Sequence, residues 1–281
     1  MPLRSVILPV AGQGTRMLPA TKSMPKELLP VYDTPLLHFA LQEAVAAGAE
    51  RIVLVSHPEK SAIEDFLRDD LAAIEELMRR GKTTEADALR AMQLPDKVDV
   101  RVVYQDAPKG LGHAVLCGAE DILDGPVGVI LPDDVLFSGR CLRDMGQAYG
   151  VAGCTNLVGA MKVAADQTSK YGIFDCQKTG GATHPARGIV EKPDPENAPS
   201  RLAAVGRYVL TPAIFDQLQE TAPGAGDEIQ LTDAIDAMGG LHAFPIAETR
   251  FDCGSKSGLL NASNAYFKLC RADRQTAIAA E

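Results

Sequence analysis

Short apolar runs alternate with segments of helical periodicity through the first 130 residues of the chain. The runs have the length of buried strands and lie at 6–10, 51–55, 98–104 and 127–131. Between them the chain has helical patterns at 34–48, at 58–80 with further helical chain to about 94, and at 113–122. This alternation predicts a parallel sheet that is covered by helices on both faces.

Beyond about residue 155 the apolar runs become shorter. Strands are predicted at 156–163, 171–176, 187–191 and 203–210. We expect them to form a mixed or antiparallel extension of the same sheet, and not a second copy of the first half. A last helix is predicted over 258–280, with packing on the core as one role and a subunit contact as the other. The predicted fold class is therefore α/β, in a single domain over 1–281.

Charge and composition narrow the classes of partner. Asp and Glu number 37 against 28 Lys and Arg, and the net charge of −9 comes without a basic run, so polymeric nucleic acid and anionic membranes are not expected partners. One small phosphate ligand needs only a few local cations and backbone amides. The six cysteines form no C-x-x-C pair, and the chain has no apolar run of 18 residues. We therefore expect a cytoplasmic protein.

The loop after the first strand carries two glycines and two cations. Gly12 and Gly14 permit positive φ and let an anion approach the backbone N–H groups. Met17 stands where a dinucleotide-binding loop has its third glycine, and G-K-[ST] is absent, which excludes a P-loop. Arg16 and Lys26 suit a di- or triphosphate that leaves as pyrophosphate. A tight turn with two solvated charges is the alternative.

Polar residues follow three other predicted strands. Asp133 and Asp134 come after 127–131, and Asp133 is the candidate Mg²⁺ ligand while Asp134 is the candidate for a helix or turn cap. Glu191 and Lys192 end another strand and can meet a sugar hydroxyl and a phosphate, or form an exposed charge pair. Gln105 carries an amide that both donates and accepts, as a uracil edge requires, or it faces solvent.

Seven motifs, in order, resemble the signature of the sugar-nucleotide pyrophosphorylases. The first is AGQGTRMLPATKSMPKELLP at 11–30. It is followed by GLGHA at 110–114, LPDD at 131–134, VEKP at 190–193, VGRY at 205–208, GDEIQLTD at 226–233 and FDCG at 251–254. Together they cover essentially the whole chain. One departure is Lys109, which stands before Gly110 where the family more often has an apolar residue.

The resemblance implies a Rossmann-like nucleotide-diphospho-sugar transferase fold. It also implies a Mg²⁺-dependent transfer of UMP from UTP to glucose 1-phosphate, which gives UDP-glucose and pyrophosphate. Residues 1–155 would mainly bind the nucleotide and 156–255 the sugar phosphate, with 256–281 as a C-terminal helix. The alternatives are the same chemistry with dTTP or another sugar 1-phosphate, or a non-catalytic regulatory paralogue that binds a nucleotide sugar. A homo-oligomer, dimer or tetramer, is also expected.

The family's site residues carry over onto matching positions of this chain. The implied catalytic cations are Arg16, Lys26 and Lys192. The implied nucleotide-binding residues are Ala11, Gly12, Gly14, Glu27, Gln105, Gly110 and Asp133. The sugar phosphate would meet Gly172, Glu191, Lys192 and Gly206, where both glycines would let the backbone approach the hexose and would otherwise be strand bulges. Asp133 and Asp252 are the implied metal ligands, with ordinary turn chemistry as the alternative for Asp252. His113 is expected to be structural rather than a general base.

Overall fold

A computed structural model describes residues 3–176 and 181–280, of which 225 and 273–280 are described by their backbone alone. The strands, numbered along the chain, are β1 (Ser5–Pro9), β2 (Pro30–Val31), β3 (Thr34–Pro35), β4 (Arg51–Ser56), β5 (Asp99–Tyr104), β6 (Val127–Ile130), β7 (Asp134–Val135), β8 (Asn156–Lys162), β9 (Gly172–Cys176), β10 (His184–Glu191), β11 (Leu202–Leu210), β12 (Leu241–Pro245) and β13 (Phe251–Asp252).

The α-helices lie between these strands and after them. They are α1 (Leu36–Ala46), α2 (Ser61–Phe66), α3 (Leu71–Arg79), α4 (Thr83–Met92), α5 (Gly110–Cys117), α6 (Cys141–Ala152), α7 (Ile214–Glu220), α8 (Leu231–Met238) and α9 (Lys256–Ala280). Of the helices described here, none combines the length and the hydropathy that crossing a membrane requires. The predicted C-terminal segment reaches 281, which lies outside the described residues.

Nine of the described strands form one sheet, in the order β5-β4-β1-β6-β11-β8-β12-β10-β9. The first four are parallel to one another. β11 then runs antiparallel to β6 and β8, β12 is parallel to β8, and β10 is antiparallel to β12 and β9. The predicted parallel half with a mixed extension is therefore confirmed.

Several predicted helices have other bounds in the structure. The helix predicted over 58–80 is two helices, and α3 begins where Asp69 Oδ1 accepts the N–H of Leu71 at 2.7 Å. The helix predicted from Thr34 begins at Leu36, because Thr34 and Pro35 pair with β2. α5 begins at Gly110 and ends at Cys117, so His113 lies inside this helix and does not open it.

Three helices were not predicted at all. α7 and α8 have only 7 and 8 residues, which is shorter than the window in which helical periodicity can be recognised. α6 has 12 residues, but Gly146 interrupts its buried apolar face. These helices are stabilised by packing on the sheet, since glycine and short length give little helical preference of their own.

Both faces of the parallel half are buried. Val6 and Leu8 of β1 face α1 and α6 in one apolar cluster, while Ile7 faces α5, α7 and α8 in another. Side chains of a strand alternate between the two faces, so a strand that is covered on both sides is apolar at every position. This explains why the strand signal is a continuous apolar run.

The loops after the parallel strands open at one edge of the sheet. The N–H of Val10, just past β1, donates to Val55 O at 2.8 Å, and the N–H of Gln105, just past β5, donates to Ser56 O at 2.8 Å. Since parallel strands present their carboxyl ends together, the glycine loop, Gln105 and the loop after β6 all lie at this edge. In open α/β sheets this is the edge where ligands bind.

A buried ion pair connects three elements beneath this edge. Arg207 of β11 is 2% exposed and Glu43 of α1 is 1% exposed. The guanidinium donates to both Glu43 oxygens at 2.8 and 2.9 Å, and Glu43 Oε1 also accepts the N–H of Leu142 in α6 at 3.0 Å. A pair buried to this extent has no water with which to replace a lost partner.

We predict that Glu43→Gln lowers the free energy of unfolding by about 3 kcal/mol, because it leaves the buried Arg207 charge uncompensated. Urea unfolding monitored by circular dichroism measures this loss. The matched control is Glu50→Gln, which breaks the exposed Arg4–Glu50 pair and should change stability little. Equal, small losses in both variants would contradict the prediction.

Candidate active site

A cleft of about 510 Å³ opens where the two halves of the sheet meet. Seven of the predicted site residues line it, together with Tyr171 and Arg250. The seven are Arg16, Asp133, Gly172, Glu191, Lys192, Gly206 and Asp252. The other predicted site residues are not in the wall of the cleft, although Lys26 donates to Asp133, which is. These residues are Ala11, Gly12, Gly14, Lys26, Glu27, Gln105 and Gly110.

Only one of the two loop glycines has the left-handed backbone that both were predicted to permit. Gly14 has φ +67°, and a Cβ there would lie 3.1 Å from Lys26 Cβ and 3.2 Å from Thr21 Cγ2. Gly12 does not have positive φ, and a Cβ there would meet Lys26 Cε at an ordinary 3.8 Å. Gly14 therefore uses the backbone freedom that glycine permits, whereas Gly12 lies against the Lys26 side chain.

Lys26 and Asp133 form an ion pair across 107 positions of sequence. Lys26 Nζ donates to Asp133 Oδ2 at 2.6 Å, and the two side chains are 19% and 17% exposed. Burial alone would lower the pKa of Lys26, but Asp133 and Glu27 raise it overall. Burial alone would raise the pKa of Asp133, but Lys26 and Arg16 lower it overall. Both groups are therefore charged at neutral pH. Lys26 can bind a further anion, and Asp133 can bind a further cation.

The two predicted metal ligands converge on one point of the backbone. A Cβ at Gly254 would lie 2.8 Å from Arg16 Nη2, 2.9 Å from Asp133 Oδ2 and 3.1 Å from Asp252 Oδ1. The two carboxylate oxygens are thus within about 6 Å of each other, an upper limit set by their shared neighbour. In residues 3–176 and 181–280, no three His, Cys, Asp or Glu side chains group as a metal cage. Two carboxylates fit Mg²⁺, which takes its remaining ligands from phosphate and water.

Asp252 also makes the turn that was its alternative interpretation. Its Oδ1 accepts the N–H of Gly254 at 3.1 Å. β13 pairs with β7, with Asp252 opposite Asp134, and the N–H of Cys253 donates to Asp133 O at 2.7 Å. The turn therefore fixes Asp252 beside the loop that carries Asp133, so turn chemistry and a place in the cleft are compatible.

Asp134 is not the helix or turn cap that it was predicted to be. Its side chain is 9% exposed and forms an ion pair with Arg250 through Oδ1. Its Oδ2 accepts the N–H of Gly206 at 2.7 Å. Arg250 in turn donates to the Tyr171 hydroxyl at 3.3 Å and stacks over that ring at 5.3 Å. Asp134 therefore joins the loop after β6 to the second half of the cleft.

The predicted sugar side of the cleft is built from β9, β10 and β11. Glu191 and Lys192 pair with each other at 3.1 Å and are 36% and 63% exposed, so their charges are open to a ligand. Gly172 and Gly206 both have a packing requirement: a Cβ at Gly172 would lie 2.7 Å from Ile189 Cγ2, and one at Gly206 would lie 2.6 Å from Leu131 Cβ. The pairing of β11 with β8 is also irregular between Ala204 and Tyr208, as a strand bulge requires.

Gln105 and Gly110 form a separate polar group at the start of α5. Gln105 is 6% exposed, and its Nε2 donates to Gly110 O at 3.0 Å. The same nitrogen lies 2.9 Å from His113 Nδ1. Gly110 has φ +92°, and as the first residue of α5 its N–H has no acceptor within the helix.

Glu27 lies under the glycine loop with a lysine that sequence reasoning missed. Glu27 is 2% exposed, and its Oε2 accepts from Lys60 Nζ at 2.9 Å. Lys60 Nζ also donates to Val10 O and Gly12 O, each at 2.6 Å. Burial raises the pKa of Glu27, although Lys60 and Lys26 oppose this shift. The side chain of Glu27 therefore supports the loop from below, with its Oε1 buried and without a hydrogen-bond partner among the described groups.

A wider groove of about 1030 Å³ lies between α2, α3, α4 and α9. Its wall contains none of the predicted site residues. The smaller cleft, whose wall contains seven of the predicted site residues, is therefore the candidate active site.

Curated relatives resemble the chain over almost its whole length. A UTP–glucose-1-phosphate uridylyltransferase of Bacillus subtilis is 41% identical over 267 residues, which cover 93% of this chain and 88% of that protein. The enzyme of the same name from Escherichia coli K12 is 41% identical over 276 residues, which cover 94% of this chain and 90% of that protein.

Solved structures agree with these relatives. A UDP-glucose pyrophosphorylase in complex with UDP-glucose superposes with a TM-score of 0.83 at 37% identity, covering 95% of this chain and 99% of that one. A UTP-bound UGPase from Acinetobacter baumannii gives a TM-score of 0.85 at 36% identity, with 94% and 93% covered. The resemblance inferred from the seven motifs is confirmed. Since the nucleotidyl transferase family model matches residues 4–268, the chain belongs to the nucleotidyl transferase family.

Proposed function

We propose that the protein transfers UMP from UTP to glucose 1-phosphate, giving UDP-glucose and pyrophosphate. The observation that carries this proposal is the cleft, in which cations and carboxylates from both halves of the chain meet. The structures in complex with UDP-glucose and with UTP are similar to this chain along almost its whole length, which supports the same product and substrate here.

The chain acts as one nucleotidyltransferase domain with two contributing parts. Residues 1–155 bind the nucleotide mainly through Ala11, Gly12, Gly14, Gln105 and Gly110, and Glu27 contributes by supporting the glycine loop. Residues 156–255 bind the sugar phosphate mainly through Gly172, Glu191, Lys192 and Gly206. The C-terminal segment is the helix α9. The position of the cleft between the two sets of strands supports this division.

The reaction is a direct displacement at the α-phosphorus of UTP. A phosphate oxygen of glucose 1-phosphate forms the new P–O bond, and the bond to the departing pyrophosphate breaks. The attacking oxygen is already ionised at neutral pH, so no general base is required, and catalysis depends on alignment and neutralised charge. Arg16 and Lys26 neutralise the departing phosphates, and Lys192 neutralises and orients the attacking phosphate.

Mg²⁺ is the proposed cofactor, and Asp133 and Asp252 would hold it together with phosphate oxygens and water. It supplies charge neutralisation for the triphosphate when bound. The direct test of the function is release of pyrophosphate from UTP and glucose 1-phosphate in the presence of Mg²⁺. Turnover that needs dTTP instead of UTP, or another sugar 1-phosphate, would replace the proposed substrates. No turnover with any of these would favour a regulatory paralogue.

We predict that Asp133→Asn lowers kcat/KM by about 10²-fold or more, because the variant loses the charge that faces both the metal and Lys26. A Mg²⁺ titration of pyrophosphate release should show a higher half-saturating Mg²⁺ concentration than in the parent. Asp144→Asn, at an exposed pair with Arg143, is the matched control. Parent-like turnover of Asp133→Asn at every Mg²⁺ concentration would exclude Asp133 as a ligand.

We also predict that Lys192→Ala raises the KM for glucose 1-phosphate by about 10-fold or more, in line with loss of one charged hydrogen bond, while UTP affinity changes little. Steady-state kinetics with each substrate varied in turn separates the two effects. The control is Lys170→Ala, because Lys170 lines the same cleft but donates to Gln167 Oε1 at 2.7 Å. Equal changes for both substrates would place Lys192 in another role.

A homo-oligomeric assembly and a cytoplasmic location are the remaining parts of the proposal. Leu260 and Leu269 of α9 are 62% and 47% exposed, while Tyr266 of the same helix packs edge-on against Phe39 at 5.0 Å. One side of the helix thus packs on the core, and the other exposes apolar side chains that a second copy of the chain could bury. This supports a homo-oligomer. Light scattering should give a mass well above the 29.9 kDa of one chain, and a mass equal to it would contradict this.

Six free cysteines support a cytoplasmic location.

A further inference from the structure

The carboxamide of Gln105 is held in one orientation by two acceptors. Gly110 O is a backbone carbonyl and can only accept, so the group facing it at 3.0 Å must be the Nε2 amine of Gln105. The second Nε2 proton points at His113 Nδ1, 2.9 Å away. Both donor protons of the amide are therefore engaged within the protein.

His113 accepts this hydrogen bond as a neutral imidazole. Burial, together with the nearby charge of Lys109, lowers the pKa of His113 below its usual value. Cys117 Sγ lies 3.7 Å from the same Nδ1, and burial raises the pKa of this thiol, so it keeps its proton. With two potential donors around it, Nδ1 is the unprotonated nitrogen of the ring and Nε2 carries the hydrogen.

In this arrangement the donor side of the Gln105 amide is engaged within the protein, so its role toward a base would be that of an acceptor. Among the described groups, none donates a hydrogen bond to Gln105 Oε1, which leaves that acceptor as the side chain's remaining polar atom. Uracil and thymine carry an N–H at ring position 3, whereas cytosine carries a lone pair there. A fixed acceptor attracts the first two bases and repels the third.

We infer that His113 is a specificity-determining positioning residue, which holds Gln105 so that the nucleotide site selects uracil or thymine over cytosine. The inference rests on the proposed nucleotide role of Gln105. His113 itself does not touch the base. Without His113, one of the two contacts that oppose a flip of the amide is lost, and Nε2 can turn toward a cytosine ring nitrogen.

The test measures the inhibition constant of CTP as a competitor of UTP and divides it by the KM of UTP. This ratio is the preference for UTP over CTP, and it does not require turnover of CTP. His113→Leu should lower this preference about five- to tenfold, the effect of one neutral hydrogen bond. The preference for UTP over dTTP should stay unchanged, because both bases present the same N–H. His113→Asn, whose Oδ1 can replace Nδ1, and Cys117→Ala, which keeps the Gln105 contact, should retain the parent's preference.

Gln105→Leu separates failure of this inference from failure of its premise. If Gln105→Leu alters the CTP preference and His113→Leu does not, the inference is overturned while the proposed function stands. If Gln105→Leu changes neither the preference nor the KM of UTP, Gln105 is not at the base site and the inference falls with it. Pyrophosphate release by the parent enzyme then judges the proposed reaction independently.

A measurement on the parent protein does not depend on the folding of any variant. Nitrogen-15 NMR of the histidine rings, with His113→Asn to assign the signal, reports which ring nitrogen carries the proton at neutral pH. An unprotonated, hydrogen-bonded Nδ1 is expected. A protonated Nδ1 would overturn the inference, because that nitrogen could not accept from Gln105.

Discussion

The buried guanidinium of Arg207 holds the loop on which the candidate active site depends. It donates to Leu131 O at 3.3 Å and to Asp134 O at 2.7 Å, on either side of Asp133, and also to Gly206 O at 2.9 Å. Glu43 balances its charge from α1. A loop that is fixed at both ends keeps the Asp133 carboxylate in place before any ligand binds, which is the condition for electrostatic catalysis without reorganisation.

The ion pair of Lys26 and Asp133 explains how such a charged loop is stable without substrate. Each group offsets the desolvation of the other, as the opposite shifts of their pKa values show. A triphosphate with its metal would bring a new anion to Lys26 and a new cation to Asp133. In the proposed reaction the two charges therefore exchange partners, and neither has to be buried alone at any stage.

Sequence reasoning reaches the parts of this architecture that depend on local pattern. The continuous apolar runs of β1 and β6 predict buried parallel strands, and parallel strands bring the residues that follow them to one edge, so Asp133 could be found as a strand-end carboxylate. The family motifs are needed to predict Lys192 and Asp252 as site residues, because the local pattern alone indicates an exposed charge pair and a turn.

The residues that were missed act through partners far away in sequence. Glu43 and Arg207 are 164 positions apart, and Asp134 and Arg250 are 116 positions apart. Glu43 sits in a helix where a polar residue is expected on the solvent side, and Lys60 precedes α2 as any surface lysine might. Their roles follow from which elements pack together, and no signal within a window of ten or fifteen residues carries that information.

The two adjacent aspartates show how the fold divides its work between neighbours. Asp133 lies in the turn after β6, whereas Asp134 is the first residue of β7, and their side chains have different partners. Asp133 pairs with Lys26, and Asp134 pairs with Arg250 and accepts the N–H of Gly206, so the two aspartates face the two proposed substrate sides of the cleft. Arg250 also donates to the hydroxyl of Tyr171, the residue before Gly172. A shift of Asp133 and Asp134 would therefore move both halves of the cleft. The proposed displacement depends on close alignment of its two substrates, and a loop whose two aspartates are bonded to both sides of the cleft would provide that alignment.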